Sequence, residues 1–114
     1  METVMYGIRN CDTIKKARAW LESKRIAYRF HDFKTDGIDR EHLESWVQTV
    51  GWEVLLNRAG TTFRKLPDAQ KVEMTQVRAI KLMLENPSMI KRPVLESGAK
   101  LLVGFSPEKY AVLE

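Results

Sequence analysis

The stretch Thr3-Val4-Met5-Tyr6-Gly7-Ile8-Arg9-Asn10-Cys11-Asp12-Thr13-Ile14 decides how this chain folds. Val4, Met5 and Tyr6 form a compact apolar run, the pattern of a short strand buried on both faces, as central parallel strands are. From Asn10 the period changes. Ile14, Ala17, Trp20 and Leu21 fall at helical spacing, with basic residues between them. Residues 3–7 are therefore predicted as a strand, followed by a helix that ends near Ser23 or Lys24. Their junction carries Cys11, the only cysteine in 114 residues.

Residues 28–33 are aromatic-rich and alternating, which predicts a second strand. Thr35-Asp36-Gly37 marks a turn, and Asp39 can cap a helix whose stripe is Leu43, Trp46, Val47 and Val50, closed by Gly51. A strand–helix–strand unit of this length implies parallel pairing through a crossover. Residues 52–74 are less regular, with a helical turn expected over 53–57 before the loop Arg58-Ala59-Gly60-Thr61-Thr62. Thr75 then caps a helix expected to carry Val77, Ile80 and Leu84 on one face, stopped by Asn86-Pro87. Val94-Leu95 and Leu101-Leu102-Val103, separated by Ser97-Gly98-Ala99, read as an antiparallel hairpin. Ser106-Pro107-Glu108 opens a short final helix. This order predicts an α/β, thioredoxin-like fold: a four-stranded mixed sheet (βαβ…ββα) with extra helices inserted in the middle. One domain is expected over residues 1–114.

Composition narrows the function classes. The 19 Lys and Arg outnumber the 15 Asp and Glu for a net charge of +4. Lys15, Lys16, Arg18, Lys24, Arg25 and Arg29 gather in the first third. They read either as a solvated helix face or as attraction for a small anion; nucleic acid is the weaker reading without interleaved aromatics. A single cysteine excludes an internal disulfide. No apolar run reaches bilayer length, and Met1-Glu2-Thr3-Val4 lacks signal-peptide features, so a cytoplasmic monomer away from membranes is expected. His31 and His42 are too scattered to build a metal site with Cys11, and no bound cofactor is expected. Trp20, Trp46 and Trp52, with Met5, Met74, Met83 and Met89, read as packing residues.

Cys11 lies next to the first residue of the first helix. Unpaired backbone N–H groups converge there, and the helix dipole adds partial positive charge. Both favour a thiolate over a thiol. Arg9 would help and Asp12 would oppose, and the residues alone leave a reactive and a merely packed cysteine both open. Two further candidates are Arg92-Pro93, just before a strand, and Arg58 in the mid-chain loop, where a guanidinium could meet an oxyanion.

Taken together, Tyr-Gly-Ile-Arg-Asn-Cys-Asp-Thr from Tyr6, Leu-Leu-Asn-Arg-x-Gly-Thr-Thr from Leu55, Arg92-Pro93-Val94, and Val-Gly-Phe from Val103 resemble the arsenate-reductase-like (ArsC/Spx) family, specifically its YffB branch. The resemblance implies that Cys11 is the nucleophile. It implies that Arg58 and Arg92 bind an anionic group beside the thiol, that Asn10, Thr13 and Pro93 join them in binding substrate or glutathione, and that Pro93 is a thioredoxin-type cis-proline. It implies a glutathione-dependent thiol reductase, with glutathione as co-substrate. Its alternatives are an arsenate reductase served by glutathione and glutaredoxin, or a non-catalytic, Spx-like regulatory module. Two departures bear on these. Asp12-Thr13 follows Cys11, and Gly104 stands where the arsenate reductases carry a last arginine. Ile14 stands where Spx has a second cysteine, so any resolving thiol must come from outside the chain.

Overall fold

Thr3–Gly7 (β1) is buried along its whole length in the computed structural model, which describes residues 2–114. The helix α1 (Asp12–Ser23) follows, then the strand β2 (Arg29–Asp32) and a single helical turn, α2 (Phe33–Asp36). Five helical segments come next: α3 (Arg40–Val50), α4 (Trp52–Leu55), α5 (Thr61–Arg64), α6 (Asp68–Lys71) and α7 (Gln76–Glu85). Strands β3 (Val94–Ser97) and β4 (Lys100–Val103) lead to the short helix α8 (Pro107–Tyr110). The chain groups into two units, Met1–Asp36 with Arg92–Glu114, and Gly37–Lys91.

In the first unit the sheet order is β2-β1-β3-β4. β1 pairs parallel with β2 and antiparallel with β3, and β3 pairs antiparallel with β4. The sheet is thus the mixed one expected, with a thioredoxin-like arrangement of strands. One face is sealed by Ile14, Ala17 and Leu21 of α1, packed with Met5, Leu95 and Tyr110 into a fully buried cluster. The rings of Trp20 and Phe105 meet Tyr110 edge-on, at 5.6 and 4.8 Å. Gly7 allows the close approach of α1. The Ile14 side chain occupies the space where a β-carbon on residue 7 would stand.

Several boundaries differ from those the sequence predicts. The second strand stops at Asp32, because the Asp32 carboxylate accepts the backbone N–H of Lys34 (2.9 Å) and turns the chain into α2. Phe33 is therefore helical rather than extended. The hairpin loop shrinks to Gly98-Ala99, with Ser97 paired to Lys100. Gly98 supplies the positive φ, +60°, that a two-residue turn requires.

The second unit holds the inserted helices. Asp39 caps α3 through the His42 N–H (3.1 Å), and Thr75 caps α7 through the Arg78 N–H (3.3 Å). Leu43, Trp46 and Val47 are the buried residues of α3, and α3 packs on α7. The buried stripe of α7 is Ala79, Ile80 and Met83, not the expected Val77, Ile80 and Leu84. Val77 is 77% exposed, and the helix is turned so that small Ala79 and flexible Met83 face inward. The turn expected over 53–57 forms instead as α4, beginning one residue early and ending two residues early.

Candidate active site

Cys11 is the N-cap residue of α1, with extended backbone (φ −142°, ψ 126°). Its carbonyl accepts the Lys15 N–H (3.0 Å), and its own N–H donates to the Arg9 carbonyl (3.1 Å). The side chain makes no ordinary capping hydrogen bond, yet the N–H groups of Ile14 and Thr13 face the sulfur, and the Arg92 guanidinium stands beside it. Burial pushes the half-buried thiol up. The Ile14 N–H, Arg92 and the Thr13 N–H together outweigh it and hold the thiol below its ordinary value. The thiolate is therefore reached more readily here than at an ordinary cysteine.

The backbone on the C-terminal side of Arg92 is pinned. The Arg92–Pro93 peptide bond is cis, Pro93 is buried, and its carbonyl accepts the Gly104 N–H (2.9 Å), tying the start of β3 to the end of β4. Gly104 itself sits in the left-handed region, at φ +79°. Any side chain here would carry backbone strain, so an arginine at this position would be disfavoured. The Lys109 ammonium lies 3.6 Å from where that β-carbon would be and donates to the Val103 carbonyl at 2.6 Å.

The other candidates have settings of their own. Arg9 turns to the buried Asp32 (Nε to Oδ2, 3.3 Å) and lies over the Phe30 ring at 5.5 Å, rather than serving the thiolate as expected. The sequence signal for this was an acid at the end of an aromatic strand, which needs a partner once buried. Arg18 lies over the ring of Tyr28 and donates to its hydroxyl (2.8 Å). Asp12 and Asn10 are exposed to solvent. Arg58 belongs to the second unit, where its guanidinium lies over the Trp52 indole at 5.2 Å. Among the described residues no three His, Cys, Asp or Glu side chains are grouped as metal ligands would be, and no helix is long and apolar enough to cross a membrane.

Fold and site define a thioredoxin-like protein with one thiol at the start of its first helix and an arginine–cis-proline step beside it. The chain belongs to the ArsC family, whose model matches residues 6–113. It is 60% identical to a YffB protein of known structure, with 96% of each chain covered and a TM-score of 0.93. It is 55% identical to an arsenate reductase (ArsC) related protein from Brucella melitensis, covering 98% of this chain and 93% of that one, with a TM-score of 0.81. Among curated sequences, the global transcriptional regulator Spx of Streptococcus mutans is 26% identical over 102 residues, 88% of this chain and 74% of the relative.

Proposed function

We propose that the chain is a monothiol reductase that works with glutathione. The observation that carries this is the setting of the Cys11 sulfur between two backbone N–H groups and the Arg92 guanidinium. The Cys11 thiolate attacks the glutathione sulfur of a mixed disulfide R–S–S–G. A Cys11–S–S–G bond forms, the R–S group leaves as a thiolate, and the substrate is reduced. A second glutathione thiolate then attacks the Cys11-bound glutathione, releasing oxidised glutathione and restoring the Cys11 thiolate. Arg92 neutralises charge on the sulfur in both steps, and Arg58 binds an anionic group of the substrate or of glutathione.

The test is to incubate the protein with oxidised glutathione and weigh it intact. One glutathione adduct is expected, absent in Cys11→Ser. No adduct, or an alkylation midpoint no lower than that of a free thiol, would remove the proposal.

The Spx likeness supports a second reading, a regulatory binding module that performs no turnover. It predicts that Cys11→Ser leaves partner binding intact while charge reversal at Lys15 and Lys16 abolishes it. Arsenate reduction proper is tested by arsenite formation with glutathione and glutaredoxin supplied. With Gly104 in place of the last arginine, little or no turnover is expected.

A further inference from the structure

The second unit carries a cleft of about 520 Å³, open to solvent, whose lining includes Trp52, Glu53, Asn57, Arg58 and Lys91. Its two cations come from chain segments laid side by side. The Asn57 N–H donates to the Met89 carbonyl (2.7 Å), and the Lys91 N–H donates to the Leu55 carbonyl (2.8 Å). Between those bonds Leu56 and Ile90 form an antiparallel bridge, both of them buried. The backbone under Arg58 and Lys91 is thereby fixed, so the two charges are held on one rigid strip.

The side chains are prepared in the same sense. The indole of Trp52 lies under the Arg58 guanidinium at 5.2 Å, which orients the fork while leaving its N–H donors available. Asn57 accepts the Ala59 N–H through Oδ1 (3.2 Å), which closes the loop and leaves its amide N–H₂ for another acceptor. Neither Arg58 nor Lys91 enters an ion pair among the described residues. Glu53 supplies one negative charge against these two positive ones, so the cleft keeps a positive excess. Its volume falls in the range of small-molecule sites and is far larger than a lone ion needs.

We infer that this cleft binds the carboxylate end of a small organic anion, with Arg58 gripping it as a fork, Lys91 adding a second charge, and Trp52 fixing the fork. The inference rests on the reading of Arg58 as an anion-binding residue, and does not require Cys11 to react.

The probe is S-methylglutathione, which carries two carboxylates and cannot enter thiol–disulfide exchange. It is titrated into the full chain and followed by amide chemical shifts. Saturable shifts are expected at Asn57, Arg58 and Lys91, with affinity falling about fivefold in Lys91→Gln, in Arg58→Gln and in Trp52→Ala. Lys91→Arg should restore most of the loss, and the diethyl ester of the probe should bind as weakly as the variants. Unchanged affinity in Lys91→Gln and Arg58→Gln, or an ester that binds as tightly as the acid, would overturn the inference. Inorganic phosphate binding as tightly as the probe would also overturn it, by reassigning the cleft to a free oxyanion. Exchange of wild-type Cys11 with neutral hydroxyethyl disulfide is measured separately; its failure would remove the reductase reading and leave the cleft result standing.

Discussion

Adding one methyl group at Gly7 should damage both the fold and the thiol. The β-carbon of an alanine there would fall on the space filled by the Cδ1 atom of Ile14, with Cγ1 next at 3.2 Å. Ile14 is fully buried, so it cannot swing outward without disturbing the cluster of Met5, Ala17, Leu21, Leu95 and Tyr110. Overpacking of this kind costs about 1–3 kcal/mol. For a chain of this size that corresponds to a melting temperature lower by about 5–15 °C. The Ile14 N–H also faces the Cys11 sulfur and helps hold the thiol below its ordinary value, so displacing the helix start should slow alkylation at neutral pH. The decisive control is Ile14→Val, which removes Cδ1 and by itself costs about 0.5–1.5 kcal/mol. In the double variant the severe overlap is gone and only the tight γ-carbon contact near 3.2 Å remains, so its stability should lie closer to that of Ile14→Val alone than to the sum of the two losses. Thermal unfolding by circular dichroism reads all four proteins. A Gly7→Ala protein that melts with the parent, or a double variant in which the two losses simply add, would refute the steric account.

Alkylation of Cys11 followed against pH should show a midpoint below that of an unstructured cysteine, and Arg92→Gln should raise it, because burial persists while one stabilising group is lost. The folded-state value is depressed, so the linked stability is present above the unfolded thiol's pKa and is lost as pH falls through the folded value; the stability gap between parent and Cys11→Ser should narrow over that descent. Asp32→Ala should cost about 1–3 kcal/mol in urea unfolding, since it strips the Lys34 N–H of its acceptor and Arg9 of its partner. Arg9→Ala should cost under about 1 kcal/mol, because the Arg9 side chain is 67% exposed. On α7, Met83→Ala should cost about 2–5 kcal/mol and Val77→Ser at most about 0.5 kcal/mol, with denaturant midpoints as the readout.

Local signals carried most of the fold. The buried run at Val4–Met5–Tyr6, the helical period from Ile14 and the caps at Asp39, Thr75 and Ser106 act over a few residues, and each marks an element that exists. Most of what stayed hidden depends on side chains meeting from afar. The rotation of α7 that buries Met83 in place of Val77 is set by its packing on α3, whereas the Asp32 turn onto the Lys34 N–H spans only two residues and was masked by the aromatic alternation running on through Phe33. At the thiol, the helix-start donors were legible from chain position, and Arg92 from its place before Pro93 and the family resemblance. The diversion of Arg9 to Asp32 was not, because it requires the parallel pairing of β1 with β2 that sets Gly7 opposite Asp32. Trp52 read only as a packing residue and Lys91 drew no notice; the antiparallel bridge between Leu56 and Ile90 sets Lys91 beside the Arg58 loop, and Trp52 lines the same cleft.

The donors around the Cys11 sulfur have a bearing on departure as well as attack. A thiol held below its ordinary pKa is a weaker nucleophile per thiolate but a better leaving group. For a cysteine with no second cysteine in its chain, departure is the harder problem, because a stalled mixed disulfide has no internal route to release. In the proposed reductase cycle, the helix start would lower that barrier by stabilising the sulfur as it is expelled. The helix N-terminus would thus act as an exit for the sulfur, tuned for discharge by whatever thiol arrives.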